Sequence, residues 1–286
     1  MTAKKGSGLV LEGGATRGVF TSGALDYLME QDYYIPYIAG VSAGACNAVD
    51  YVSRQAGRTK DCMIHKEKEN RYFDLKKTIK NRSLFDMEMI FDKYPNEIYP
   101  FDYDTYFQSS IQCELVVTNC ITGKAEYLNE TVKKERLMKI CRASSSIPLA
   151  SPMVTVDGIP YLDGGLADSI PIIHSLKTGH KKNVIILTRN YGYRKRNLKK
   201  SKSLYVAAYS GYPNLIRTIF SRADRYNRTL EYIEKWEREG KVFVVRPSVK
   251  PVSRTEQKYE HLIEFYQHGY DTMKEQFEAM KDFLEK

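Results

Sequence analysis

The sequence predicts an α/β fold in which helices cover a mainly parallel sheet. Short apolar runs of the length of buried strands recur along the chain, at 8–11, 35–39, 114–118, 183–188 and 242–247. Segments with helical spacing of apolar residues follow several of these runs, including 18–28 and 204–238. Strands that alternate with helices in this way indicate a three-layer α/β/α sandwich.

Two further segments predict antiparallel additions to this sheet. Residues 152–160 have the pattern of a hairpin, with Asp157-Gly158 at its turn. Residues 125–128 are the expected partner of the central strand at 114–118.

A serine flanked by glycines follows the second apolar run. Residues 40–44 read GVSAG, and a helical stretch starts at Ala43. This is the G-x-S-x-G pattern between a strand and a helix, where small neighbours permit a strained backbone at the central residue. Such a turn exposes the Ser42 hydroxyl near a helix N-terminus, which favours developing negative charge. By itself the pattern leaves two interpretations, a nucleophile or an ordinary strand-to-helix turn.

A glycine-rich loop lies one strand earlier. Residues 12–18 read EGGATRG and lead into a helix. The spacing differs from a dinucleotide-binding fingerprint, and no Gly-Lys-Ser/Thr follows for Walker-type phosphate binding. We therefore expect backbone donors near Gly13, Gly14 and Ala15 to form an oxyanion hole. Arg17 either supports this loop and an anionic substrate or pairs with a nearby acid.

A third motif follows the predicted hairpin. Residues 161–168 read YLDGGLAD, which places Asp163 at a strand end beside two glycines that leave space around its carboxylate. An aspartate in that position accepts the proton of a serine hydroxyl within hydrogen-bond reach. The alternative is a turn aspartate that bonds only its own backbone.

Taken in this order, the three motifs resemble those of the patatin-like phospholipase family, and the pattern is nearest to its compact bacterial members. The resemblance covers the chain from about Gly8 to about Arg189. It implies that Ser42 is the nucleophile and Asp163 its base, in a dyad without histidine. It further implies a catalytic domain at 8–189, followed at 190–286 by a helical extension packed on the same core.

The resemblance also assigns the oxyanion hole, to Gly13, Gly14, Ala15 and Arg17. Ala15 departs from the family, which often has a third consecutive glycine there. Alanine keeps the backbone N–H but restricts the backbone angles. Residues 142–148, RASSSIP, are similar to the family's segment between nucleophile and aspartate.

The histidines favour a dyad over a Ser-Asp-His triad. A triad would need a histidine in a loop after the acid. His174 lies in a predicted short helix, and His261 and His268 lie seven residues apart in a long helical pattern. His174 is the first histidine to remove in a test of the triad.

Composition indicates an intracellular enzyme without metal or cofactor. The five cysteines are scattered, odd in number and without metal-site spacing, which favours reduced thiols. Cys46 is expected to be a small buried residue, not a second nucleophile. No signal peptide or transmembrane helix is predicted, so we expect a cytoplasmic location, with or without peripheral membrane contact. The candidate site offers no His/Asp/Glu ligand cluster, so hydrolysis is expected to be independent of calcium.

The net charge of +9 is concentrated in one loop. Residues 189–202 read RNYGYRKRNLKKSK; the basic side chains are Arg189, Arg194, Lys195, Arg196, Lys199, Lys200 and Lys202. This basic loop either contacts anionic phospholipid head groups or is a solvated, mobile loop. Nucleic acid is not an expected partner, because no nucleic-acid-binding motif accompanies the loop.

Residues 57–108 are charged and aromatic, and Leu84 to Phe91 suggest a helical cap. Aromatic inserts that carry methionine either cover an acyl-chain pocket or merely pack. Together the motifs predict a serine acyl hydrolase, of the phospholipase A or lysophospholipase type, that acts on lipid esters. Two alternatives stay open: an acyltransferase or thioesterase with the same dyad, and a non-catalytic protein that binds lipids or anions. The sequence does not specify head group, acyl-chain length or oligomeric state.

Overall fold

One mixed sheet organises the protein. The computed structural model describes residues 3–66, 72, 85–197 and 202–286. In this part of the chain eight strands form a single sheet. They are β1 (Ser7–Leu11), β2 (Tyr37–Val41), β3 (Gln112–Asn119), β4 (Ala125–Leu128), β5 (Val154–Val156), β6 (Ile159–Asp163), β7 (Lys182–Ile186) and β8 (Val242–Val245). Their order is β5-β6-β3-β2-β1-β7-β8, and β4 also pairs with β3.

The centre of the sheet is parallel and one side is antiparallel. Strand β1 pairs in parallel with β2 and β7, β2 with β3, and β7 with β8. Strands β4 and β6 run antiparallel to β3, and β5 antiparallel to β6. In the predicted β5–β6 hairpin, Asp157 and Gly158 have φ of 50° and 82°. Both angles lie in the left-handed region that an Asp-Gly hairpin turn requires.

The described helices surround this sheet. They are α1 (Gly18–Glu30), α2 (Ala43–Val52), α3 (Arg58–Met63), α4 (Met89–Ile98), α5 (Tyr103–Gln108), α6 (Lys134–Ser144), α7 (Ile172–Lys177), α8 (Lys202–Ala208), α9 (Pro213–Arg238) and α10 (Tyr259–Glu285). Helix α4 is π-helical. Leu84, Lys199 and Lys200, which the sequence analysis names, lie outside the described residues.

Two cores confirm the predicted three-layer sandwich. In β1, Leu9 and Leu11 belong to a core shared with α1, α2 and α10. Val10, whose side chain points to the opposite face, packs in a second core with residues of α9. Because the strands are buried on both faces, the sheet is the middle layer of the molecule.

The C-terminal region is joined to this core on two sides. Strand β8 extends the sheet through β7, and α10 packs closely on α1. A Cβ on Gly269 of α10 would lie 2.0 Å from the Phe20 carbonyl oxygen, so only glycine permits this approach. Beside it, the Tyr266 hydroxyl donates to Asp26 at 2.8 Å. A division of the chain at 189/190 stays a prediction.

The strand register brings two of the three sequence motifs to one level. Val41 is aligned with Val116 of β3, and Asp163 of β6 is aligned with the next residue, Val117. Ser42, which directly follows Val41, and Asp163 therefore flank β3 at the same height. The glycine-rich loop starts beside them, because Leu11 is aligned with Gly40.

Candidate active site

Ser42 occupies a sharp turn between β2 and α2. Its backbone has φ 56° and ψ −123°, a conformation that costs a non-glycine residue about 1–3 kcal/mol. The flanking glycines are required sterically. A Cβ on Gly40 would lie 2.4 Å from the Gly44 carbonyl oxygen, and one on Gly44 would lie 2.8 Å from that of Leu11. The residues of G-x-S-x-G thus produce the strained turn that the sequence predicts.

Ser42, Asp163 and the glycine-rich loop line one small cavity. It has a volume of about 40 Å³, and Gly13, Gly14, Ala15 and Arg17 also border it. Ser42 and Asp163 are 7% and 6% exposed, so both are largely shielded from bulk water. No hydrogen bond joins the Ser42 hydroxyl to the Asp163 carboxylate among the described residues. Such bonds are often long without substrate and tighten when substrate binds.

The end of α6 and the residues after it hold both Ser42 and Asp163 in place. The Ser144 hydroxyl accepts the Ser42 backbone N–H at 2.9 Å and donates to the Val116 carbonyl at 2.6 Å. Two residues later, the Ser146 carbonyl accepts the Asp163 N–H at 2.8 Å. The RASSSIP stretch, noted in the sequence only for its resemblance, therefore ties the Ser42 side of the cavity to β3 and also bonds Asp163 on the other side.

The two glycines after Asp163 have separate steric roles. A Cβ on Gly164 would lie 2.1 Å from the Val116 carbonyl oxygen, so this residue must lack a side chain to pack on β3. A Cβ on Gly165 would lie 2.9 Å from Asp163 Oδ1, so glycine keeps the carboxylate uncrowded. Asp163 Oδ1 also accepts the Gly165 N–H at 2.7 Å, the local bond that the turn-aspartate interpretation predicts.

Ala15 has the strained conformation that its departure from glycine suggests. Its φ is 50°, in the left-handed region that favours glycine. Gly13, on the same loop, lies directly against the nucleophile turn, since a Cβ there would be 3.0 Å from Ser42 Cβ. The loop therefore approaches Ser42 closely, with strain at one position.

An apolar cavity opens on the α2 side of Ser42. Its volume is about 110 Å³, and its walls include Val49, Met87, Ile90, Phe91 and Met138. Ala15, Ser42 and Ile147 line both this cavity and the small one. Cys46 also lines it, and burial raises the pKa of the Cys46 thiol to about 12. A thiol with that pKa is protonated at neutral pH, as expected for a packing residue.

A large cationic cavity opens on the other side. It has a volume of about 1470 Å³ and shares with the small cavity the side chains of Arg17, Arg189, Tyr193, Lys195, Arg222 and Arg254. Only Arg17 was singled out from the sequence as a site residue. Arg222 and Arg254 come from α9 and from the segment before α10. No sequence motif marks either of them.

Burial and neighbouring charges lower the pKa of Arg17, Lys195 and Arg222 in this region. Burial, together with nearby Arg189, lowers the pKa of Arg17 to about 10. Burial and the charge of Arg222 lower the pKa of Lys195 well below its usual range. The Lys195 ammonium lies 3.8 Å from the centre of the Tyr226 ring, and the Tyr226 hydroxyl donates to Glu12 at 2.6 Å.

The described part of the basic loop is structured. Arg189 and Lys195 face the small cavity, whereas Arg194 forms an ion pair with Glu234 at 2.7 Å. The Arg189 guanidinium lies 4.2 Å from the centre of the Tyr193 ring. Arg189, Tyr193 and Lys195 are therefore half-buried, whereas residues 190–192, 194, 196 and 197 are exposed, and mobility of the loop stays a prediction. Contact of this loop with a membrane stays a prediction.

The structure gives the histidines other positions. His174 bonds Glu114 at 2.6 Å and stacks on Tyr127, with ring centres 3.4 Å apart. His261 and His268 line the large cavity. Among the described residues, no histidine lines the small cavity with Ser42, and no cluster of His, Cys, Asp or Glu could hold a metal ion. None of the described helices combines the length and apolarity needed to cross a membrane.

Comparison with known proteins identifies the family. The family model Patatin-like phospholipase matches residues 9–176, more than half of the chain. The chain belongs to the patatin-like phospholipase family. A second model, Domain of unknown function (DUF6363), matches residues 212–285. Membership of the patatin-like family supports a lipid hydrolase function in general.

Two individual proteins are similar to this patatin-like chain. The uncharacterized protein YjjU of Escherichia coli (strain K12) is 30% identical over 185 residues, which are 63% of this chain and 51% of YjjU. The chain thus spans about half the length of this relative. The crystal structure of VipD from Legionella pneumophila has a TM-score of 0.51 and 14% identity, over 96% of this chain and 67% of VipD. At that identity the likeness to VipD concerns the fold alone.

Proposed function

We propose that this protein is a serine acyl hydrolase that cleaves lipid carboxylic esters through Ser42 and Asp163. The observation that carries the proposal is the position of Ser42. It lies in a strained turn where an apolar cavity meets a polar cavity that contains Asp163. Hydrolysis of the phospholipase A or lysophospholipase type is the finer assignment that we propose.

The reaction would proceed in two steps, acylation of Ser42 and hydrolysis of the acyl-enzyme. Asp163 accepts the proton of the Ser42 hydroxyl while Oγ forms a bond to the ester carbonyl carbon. The carbon–oxygen bond to the alcohol then breaks, and the alcohol leaves with the proton that Asp163 returns. Water, activated by the same carboxylate, adds to the acyl-enzyme and releases the fatty acid and free Ser42.

Backbone donors would stabilise the oxyanion in both steps. The loop at 13–15 borders the same small cavity as Ser42, and α2 begins directly after Ser42. Preorganised N–H groups and a helix N-terminus favour negative charge as it develops on the carbonyl oxygen. The strained backbone of Ala15 supports this assignment, since strain of this kind concentrates at functional sites.

The cavities suggest how the ester lies. The acyl chain would enter the apolar cavity between α2 and α4, whose walls carry Val49, Ile90 and Phe91. The alcohol part would then lie on the polar side of Ser42, near Asp163. Each half of an amphipathic ester meets surroundings of its own polarity in this orientation.

Labelling with a fluorophosphonate probe tests the proposal. We expect an adduct on Ser42 in the wild type and none in Ser42→Ala. In Asp163→Asn the rate should fall about 10³-fold, the range expected for loss of a general base. Hydrolysis of 4-nitrophenyl butyrate should decrease in parallel in both variants.

Matched controls separate chemistry from folding. Ser110→Ala and Asp104→Asn change exposed residues of the same two types outside the cavities, so labelling should persist in both. Circular dichroism would verify that all four variants fold. A folded wild-type protein that neither labels nor hydrolyses the ester contradicts the proposal and favours the non-catalytic alternative.

A further inference from the structure

The large cavity beside Ser42 has an excess of positive charge. Its described lining contains eight arginine and lysine residues, among them Arg17, Arg189, Lys195, Arg222 and Arg254, whereas Glu256 and Glu264 are its carboxylates. Glu256 is already engaged by His261, at 3.3 Å. Like charges this close repel one another, so the arrangement stores unfavourable electrostatic energy that an anion would relieve.

Several of these cations lack a carboxylate partner at ion-pair distance, although Arg189 and Lys195 lie against the rings of Tyr193 and Tyr226. The Nε atoms of Arg17 and Arg189 are buried and have no hydrogen-bond partner within the described part of the chain. No carboxylate in that part forms an ion pair with Arg17, Arg189 or Lys195. Arg222, in contrast, donates to the Gly165 carbonyl at 2.5 Å, next to Asp163. Buried donors without partners are costly unless a ligand satisfies them.

The cavity is on the side where the alcohol part of the substrate would lie. Arg17, Arg189, Lys195 and Arg254 border both the large cavity and the small one that contains Ser42. The apolar cavity, on the other side of Ser42, has no cation from this group in its lining. An ester held by its acyl chain would therefore place its head group among these four cations.

We propose that this cavity binds a phosphate monoester head group, so that the enzyme prefers lipid esters carrying that group over zwitterionic choline lipids. The inference rests on the proposed function. A phosphate monoester carries a charge of about −1.5 to −2 at pH 7 and three acceptor oxygens, which match unpaired guanidinium and ammonium donors. A choline head group adds a fixed positive charge that the same cations repel.

The lowered pKa values of Lys195 and Arg17 agree with an anion site. Both are lowered first by burial and next by a neighbouring arginine. A phosphate group placed between these cations favours their charged forms.

The test compares two lipids that differ only in head group. We would measure kcat/KM for 1-oleoyl lysophosphatidate and 1-oleoyl lysophosphatidylcholine in micelles of a neutral detergent, with wild type, Lys195→Gln and Arg254→Gln. We expect the wild type to prefer lysophosphatidate by about tenfold or more. Each variant should lose about tenfold of that ratio, as expected for one charge-assisted contact.

A matched variant and a substrate-free measurement complete the design. Arg228→Gln removes an exposed cation on the same helix as Arg222 but outside the cavity, and it should keep the wild-type ratio. Calorimetry with Ser42→Ala should detect binding of sn-glycerol 3-phosphate. Adding Arg254→Gln to that protein should weaken the binding about tenfold. Inorganic phosphate, titrated in the same way, should bind more weakly than the glycerol ester.

The outcomes separate this inference from the proposed function. If hydrolysis depends on Ser42 but the lipid ratio is near one, or is unchanged in both variants, the inference is overturned and the proposed function stands. If no ester is hydrolysed, the proposed function fails. The calorimetry then decides on the anion site separately: loss of glycerol 3-phosphate binding in Arg254→Gln supports the site, and retention of binding overturns it. Faster hydrolysis of oleoyl-CoA, lost in Arg254→Gln, would assign the cavity to a nucleotide phosphate and overturn the lipid assignment.

Discussion

The apolar and cationic cavities, which lie on two sides of the small cavity that contains Ser42, differ in size, polarity and origin. The apolar cavity has a volume of about 110 Å³ and is walled mainly by aliphatic and aromatic side chains, beside the Asp50–Arg58 ion pair, whereas the cationic cavity reaches about 1470 Å³. The apolar walls come from residues 15–147, inside the segment that matches the patatin-like family. Most of the cationic lining comes from residues 189–268, beyond that segment.

This difference suggests that two parts of the protein recognise different parts of the substrate. The part shared with the family supplies Ser42, Asp163 and the apolar cavity. The C-terminal region, in part covered by the second family model, supplies Arg222 and Arg254. In our interpretation the first part selects the acyl chain, and the second part selects the head group. The two kinds of selectivity should therefore change independently, which the following experiments test.

Shortening the apolar cavity should have the largest effect on selectivity. Ile90→Trp adds bulk to a half-buried position in its wall, so a long acyl chain would lose space that a short one does not need. We expect the ratio of kcat/KM for 4-nitrophenyl palmitate over 4-nitrophenyl butyrate to fall about tenfold. The preference between lysophosphatidate and lysophosphatidylcholine should change much less.

Val132→Trp, at a position 73% exposed, is the matched control. An unchanged acyl-chain ratio in Ile90→Trp would show that the chain lies elsewhere.

Salt should act on the cationic cavity alone, with a smaller effect. Raising NaCl from 50 to 500 mM shortens the Debye length to a few ångström, which screens the partly open cationic cavity. We expect the lysophosphatidate preference to fall about threefold, because its contacts are electrostatic. The palmitate-to-butyrate ratio, measured in the same series, should not decrease, because burial of apolar groups is not weakened by salt. A parallel fall of both ratios would contradict the division.

The loop between the cavities offers the smallest effect, on stability. Ala15→Gly should relieve the left-handed backbone at φ 50° and raise the free energy of unfolding by about 1 kcal/mol or less. Ala279→Gly, at an exposed position inside α10, should lower it by about 1 kcal/mol. Thermal unfolding of the two variants should thus shift in opposite directions. A lower melting temperature for Ala15→Gly would mean that alanine is not strained there.

The sequence was most informative where function depends on local geometry. G-x-S-x-G and D-G-G single out Ser42 and Asp163 as candidates because close backbone approach requires glycine beside each, and short motifs record such requirements. The hairpin before Asp163 was predictable because Asp-Gly suits its turn. Strand alternation likewise predicted the three-layer fold.

The cationic cavity was not predictable in the same way. Arg222 lies on α9, and Arg254 lies far along the chain, in the segment before α10. Tertiary packing alone brings them close to Arg17, and no periodicity or motif in the sequence predicts that proximity. Lys195 was noted in the sequence as part of the basic loop, but the contact considered for that loop was with a membrane surface and not with a cavity. The half-buried position of Lys195 depends on Tyr226 of a distant helix.

The contact between α1 and α10 has a consequence for the order of events during synthesis. Helix α1 begins directly after the glycine-rich loop, yet the helix that packs on it ends only at Glu285. The loop is therefore synthesised more than two hundred residues before the helix that completes its support. Contacts so distant in sequence form late. We would expect a ribosome-bound chain to lack esterase activity until α10 has emerged, so that nascent chains without this helix do not attack lipids.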